Sequence, residues 1–176
     1  LQKNNSERAA FEAAWMAHAV TDGLTPAHHF PLEQAMEELR GGEGLETRTS
    51  ILKKNVMKGD TGIELIKNNW KFWGAKGMMT MHVAFEAGVA SVVAYPRFKD
   101  AVPNEAEILQ VKQQGYREYY LEQVHAVAAM KMYDNFGKNG WTTDLAWQTN
   151  HELMPIIIKA VMLGWLASIW KLEAKR

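Results

Sequence analysis

Met78-Met79-Thr80-Met81-His82-Val83-Ala84-Phe85-Glu86-Ala87-Gly88-Val89-Ala90-Ser91-Val92-Val93-Ala94-Tyr95 is the stretch on which the fold turns. Its second half, from Val89, is rich in β-branched and aromatic residues, the composition of a strand. Its spacing is not that of a strand. After Met78, residues Met79, His82, Glu86, Val89 and Val93 recur at intervals of three and four, one face of an α-helix. The spacing therefore predicts a helix from about Met78 to Tyr95, stopped before Pro96.

The same period extends outward in both directions. Asn5 or Ser6, followed by Glu7, opens a first helix to about Asp22, ended by Gly23 and Pro26. Pro31 starts a short helix to about Arg40, broken by Gly41, Gly42 and Gly44. Leu45 to Lys58 reads as a charged helical connector. Asp60 and Thr61 cap a helix through Trp73. Asn104, with Glu107 three residues on, forms a capping box for a long helix to about Phe136, bent at Gly115. Thr142, Thr143 and Asp144 start a last helix that runs to the end. The fold class that follows is all-α: one multi-helix bundle over residues 1–176.

Composition narrows the function. Twenty basic and twenty acidic residues give a net charge of zero, so no global basic field holds nucleic acid. The 176 residues contain no cysteine, which excludes disulfides, Cys-type zinc sites and a thiol nucleophile. A metal site must draw on His, Asp and Glu. No charged n-region followed by an apolar h-region opens the chain, so no signal peptide is expected in it. The apolar run from Leu153 to Trp170 is interrupted by Pro155 and Lys159. It reads as a buried or partner-packed helix rather than a membrane span, and it offers a surface for homo-oligomers.

Four helices each place a histidine on an apolar stripe: His18 with Phe11 and Trp15, His82 with Met78 and Val89, His125 with Leu121 and Met132, and His151 with Trp147 and Met154. The stripes predict that all four face inward. Two of them have a carboxylate one turn later, His18 with Asp22 and His82 with Glu86. A buried carboxylate costs several kcal/mol unless it is paired or on a metal. An i, i+4 pair leans toward one point, and imidazole with carboxylate suits Zn²⁺. A hydrogen-bonded pair without metal is the plain alternative.

The first pair belongs to His18-Ala-Val-Thr-Asp22-Gly-Leu-Thr-Pro26-Ala-His28, in which a turn containing Pro26 presents His28. The second is His82-Val-Ala-Phe-Glu86. In order and internal spacing this resembles the zinc-dependent phospholipase C family and the related single-strand-specific zinc nucleases. The resemblance spans His18 to Glu86. It implies that His28, His82 and Glu86 share one zinc, that His18 and Asp22 help bind another, and that Asp22 bridges metals or orients the attacking water. It implies one to three zinc ions and an extracellular or periplasmic location. Only 17 residues precede His18, and none is His or Asp, so the family's upstream ligands have no counterpart here. A missing N-terminal segment, a smaller site, or completion of the second site by His125 and His151 would each account for that.

The implied chemistry is hydrolysis of phosphoric esters, since zinc lowers the pKa of a bound water toward ~7. Loss of Asp22 is then expected to abolish turnover. The neutral charge favours a phospholipid or similar phosphodiester over nucleic acid as substrate. Trp70, Phe72 and Trp73 read as core packing before they read as a lipid-facing or base-stacking cluster, and Lys53, Lys54 and Lys58 as a solvated face. Peripheral membrane contact remains compatible with both groups. The alternative to an enzyme is a non-enzymatic helical module that binds metal or a partner.

Overall fold

A computed structural model describes residues 5–173 of the chain, and every regular element among them is helical. Helix α1 (Ser6–Gly23) begins where Asn5 Oδ1 accepts the Arg8 N–H at 2.9 Å, satisfying a donor that the first turn leaves free. A 3-10 turn follows at Pro26–His29, then α2 (Leu32–Leu39), which stops before Gly41 and Gly42. Both glycines have positive φ, 68° and 88°, a region that side chains disfavour. Helix α3 is Ile51–Asn55 and α4 is Gly62–Trp73, the latter capped by Thr61 Oγ1 on the Glu64 N–H. Helix α5 is Met78–Val93. The second half of the chain forms α6 (Glu105–Gln114), α7 (Tyr116–Met130), α8 (Met132–Asn139), α9 (Thr143–Gln148) and α10 (Met154–Glu173).

The all-α expectation holds, and so do most helix starts. The capping box at α6 is present in both directions: Glu107 N–H donates to Asn104 Oδ1 at 2.9 Å, and Asn104 N–H to Glu107 Oε2 at 2.8 Å. The other Glu107 oxygen accepts Lys159 Nζ at 2.8 Å, tying α6 to α10.

Three boundaries differ from the sequence reading. The connector from Leu45 to Lys58 is helical only at Leu45–Thr47 and in the single short α3. The long helix to Phe136 is three helices. It breaks at Gly115, with φ 91°, and again at Lys131, with φ 51°. A left-handed lysine costs roughly 1–2 kcal/mol, and no glycine or proline marks it. The last helix is interrupted by a π turn at Thr149–Leu153, just before Pro155. Proline has no N–H for the His151 carbonyl and its ring crowds that carbonyl, so the ladder widens there.

The main core gathers Val20, Leu24, Phe85, Val127, Met132, Phe136, Leu153 and Leu163 among its buried residues. A smaller cluster of Met36, Met57 and Phe72 sits under α2 and α4. Helix α5 joins the two: Met78 and Met79 pack on the small cluster, and Met81, Phe85 and Val89 on the main one. Helix α10 packs on α1, α6 and α7, with Trp165 Nε1 donating to the Ala13 carbonyl at 3.0 Å and Tyr116 hydroxyl to that of Ala160 at 3.0 Å. The run Thr143–Trp170 is long and apolar enough to cross a membrane by length and composition, yet here it supplies Ile157, Ala160 and Leu163 to the core.

Burial pushes the Tyr119 phenol up to about 12, with the charges of Glu107 and Glu122 adding to the rise. The neutral phenol is therefore favoured in the folded state. That contribution is complete below the ordinary tyrosine value near 10 and is lost as pH rises through about 12. Alkaline titration followed by circular dichroism should show stability falling across that window, and Tyr119→Phe should flatten the fall. A second expectation concerns Gly88, where a Cβ would lie 1.8 Å from Trp141 Nε1. That indole is held by a stack on Phe85, with centroids 5.4 Å apart. Gly88→Leu should lose about 1–3 kcal/mol in chemical denaturation.

Candidate metal centre

Two rigid elements bring the centre together. On α5, Phe85 is fully buried and sets the rotation of the helix, so His82 and Glu86 share the neighbouring face one turn apart. Opposite them, Pro26 and Ala27 are buried and pin the 3-10 turn against α5, α7 and α8. That turn presents His28 to α5.

The result is a compact group of donors. His28 Nε2 donates to Glu86 Oε1 at 3.0 Å, and His82 Nε2 lies 3.2 Å from the same oxygen. The two imidazole rings stack, 5.1 Å between centroids and 12° between planes. One ligand atom from each of His28, His82 and Glu86 falls within 4.8 Å of the others, so the three could hold a metal ion. Among the described residues, no other group of three such side chains meets that condition.

The dimensions suit a small tetrahedral ion. Ligand distances of ~2.0–2.1 Å around zinc place neighbouring donors about 3.3 Å apart. The two N···O distances are within a few tenths of an ångström of that. Two imidazole nitrogens and one carboxylate oxygen would leave a fourth position of a tetrahedral ion open. One feature runs against the usual arrangement. His82 Nδ1 is buried and has no hydrogen-bond partner. A ligating histidine ordinarily donates its second N–H to an acceptor. Here that proton has none, which lowers the affinity expected of the site.

The other candidates lie elsewhere. His18 Nε2 is 3.2 Å from Asp22 Oδ2, with the His18 side chain 70 % exposed. The pair lies at the surface, and the structure does not bring it into the three-residue group. His125 and His151 are also exposed. His151 Nδ1 bonds the Trp147 carbonyl at 2.9 Å and its ring stacks on Trp147 at 4.6 Å. The inward orientation expected of His18, His125 and His151 is thus corrected. On α1 the Val20 face is buried instead and Phe11 and Trp15 stay exposed, whereas Met132 and Met154, grouped with His125 and His151, do pack on the main core without carrying those histidines inward. Glu122, the carboxylate one turn before His125, accepts from Gln110 and Gln114. The sixth histidine, His29, closes the end of α1 through the Gly23 carbonyl at 2.9 Å.

Two residues near the centre carry no sequence signal. An open groove of about 470 Å³ is lined by Ala27, His28, Phe30, Leu32, Glu33 and His82. Glu33 is fixed there by Arg48, whose side chain is 2 % exposed and donates through Nη1 at 2.8 Å. Tyr133 stacks edge-on to Phe85, and burial raises its phenol, helped by the charge of Glu86. Neither residue has a fixed spacing to the histidines, so only the fold reveals them. No protein-family model matches this chain, and neither does any curated protein or solved structure.

Zinc titration by calorimetry should give about one ion per chain. His82→Ala and Glu86→Gln should each weaken binding by about tenfold or more, whereas His18→Ala and His151→Ala should leave it unchanged.

Proposed function

We propose that His28, His82 and Glu86 hold one divalent ion, zinc by the chemistry of its donors, and that the chain hydrolyses phosphoric esters in the manner of a phospholipase C. The observation that carries this reading is the convergence of two imidazole nitrogens, from two separate elements, on one carboxylate oxygen. Its order along the chain resembles that of the zinc-dependent phospholipases. Zinc at such a site supplies an electrophile for a phosphoryl oxygen and a more acidic water. The chain's own residues do the rest. His28 and His82 open onto the groove beside them, where a phosphate can approach. Glu33 lies on that groove wall, where Arg48 bonds its carboxylate at 2.8 Å. Tyr133, with its phenol raised by burial, stays protonated close to Glu86.

This reading needs a single ion. Asp22 would take part only through a second ion shared with His18, and the His18–Asp22 pair is too exposed to demand one.

Turnover of bis(4-nitrophenyl) phosphate tests the proposal. Activity should vanish with chelation, return with zinc and be abolished by His82→Ala. Zinc-loaded protein without turnover would leave metal binding intact and remove the hydrolase. Asp22→Ala should keep most of the activity. Its loss at unchanged zinc content would put Asp22 back at the reacting centre.

A further inference from the structure

The sequence placed Trp70 and Trp73 in the core with Phe72, and the structure separates them. Phe72 is fully buried, whereas Trp70 and Trp73 are exposed. They do not stand alone. Ile63, Ile66 and Trp70 are each at least 70 % exposed, and with Trp73 they follow one another at three- and four-residue intervals along α4. The opposite face of α4 is the one that is held: Phe72 enters the small core, and Asn68 and Asn69 bond the backbone at Lys58 and Met57. Trp73 Nε1 donates to the Asn55 carbonyl at 2.6 Å, fastening the end of α3 beside it. Helix α3 adds Ile51 and Leu52, both exposed. A soluble helix usually hides such a stripe, and its contiguous exposure marks an interaction surface.

Charge selects the partner. Residues 51–76 hold six lysines (Lys53, Lys54, Lys58, Lys67, Lys71, Lys76) and two acids, Asp60 and Glu64, a net charge of +4. The whole chain is neutral, so the remainder carries −4. All six lysines are exposed. Among the described residues, only Lys58 of the six is held in an ion pair, with Glu43. A second copy docking face to face on this element would oppose lysine to lysine. A nucleic acid would meet isoleucine side chains that have nothing to pair with. An anionic bilayer satisfies both halves at once. Isoleucine enters the acyl boundary, the indoles sit at headgroup depth, and the lysines reach the lipid phosphates along their own stems.

We propose that α3 and the exposed face of α4 form a docking surface for anionic phospholipid membranes. The surface does not depend on the metal centre or on the hydrolase reading.

Flotation with vesicles of equal parts phosphatidylcholine and phosphatidylglycerol tests it, against vesicles of phosphatidylcholine alone. The protein should partition to the anionic vesicles, with a blue shift of tryptophan emission, and high salt should weaken the partition. The double variant Ile66→Ser/Trp70→Ser should reduce partition by at least about tenfold, as should Lys67→Glu/Lys71→Glu. Unchanged circular dichroism in both variants checks their folding, and the unsubstituted protein is decisive by itself. His82→Ala should partition like the unsubstituted chain. Absence of binding to anionic vesicles overturns the proposal. So does binding that survives both double variants, binding that requires His82, or a concentration-dependent dimer that the Ile66→Ser/Trp70→Ser variant dissolves.

Discussion

Phe85 decides which way α5 faces, and the candidate centre depends on that orientation. The ring is fully buried against Tyr133, Phe136 and Trp141, and its truncation would cost about 3–5 kcal/mol. With Phe85 locked inward, Glu86 is carried 100° around the helix, and His82 lies one turn below it on the same side. The 3-10 turn at Pro26–His29 is anchored by its own two buried residues, Pro26 and Ala27. Two anchored backbones therefore meet across a short gap, and His28 reaches Glu86 without any flexible loop between them.

Much of this was legible in the sequence, for a physical reason. Helical periodicity, caps and the His-x-x-x-acid spacing are local, and local rules placed α1, α2, α4, α5 and the start of α6 correctly. Which stripe of a helix turns inward is not local. Phe11, Trp15 and His18 form as convincing an apolar stripe as Met79, His82 and Val89, yet α10 packs on the Met16 and Val20 side of α1 and leaves the first stripe in water. The same ambiguity misplaced Trp70 and Trp73. The break at Lys131 was invisible because an ordinary residue, not a glycine, takes the left-handed conformation there. Glu33 was invisible because it reaches the groove through Arg48, fifteen residues away.

The neutral total charge also hid a pattern. It excluded a global field, but it is the sum of a basic element at 51–76 and an acidic remainder. The basic element lies between His28 and His82 in the chain and packs, through Phe72, Met78 and Met79, on the start of the helix that carries the centre. The proposed docking surface and the proposed metal centre would then be complementary properties of neighbouring elements.

The central claim is the coordination of one ion by His28, His82 and Glu86. X-ray absorption at the zinc edge of the zinc-loaded protein reads that shell directly. Two imidazole nitrogens at ~2.0–2.1 Å and a carboxylate oxygen at ~2.0–2.2 Å are expected, with multiple scattering from two rings. A shell of oxygens without imidazole scattering, or one with three or more imidazoles, would contradict it.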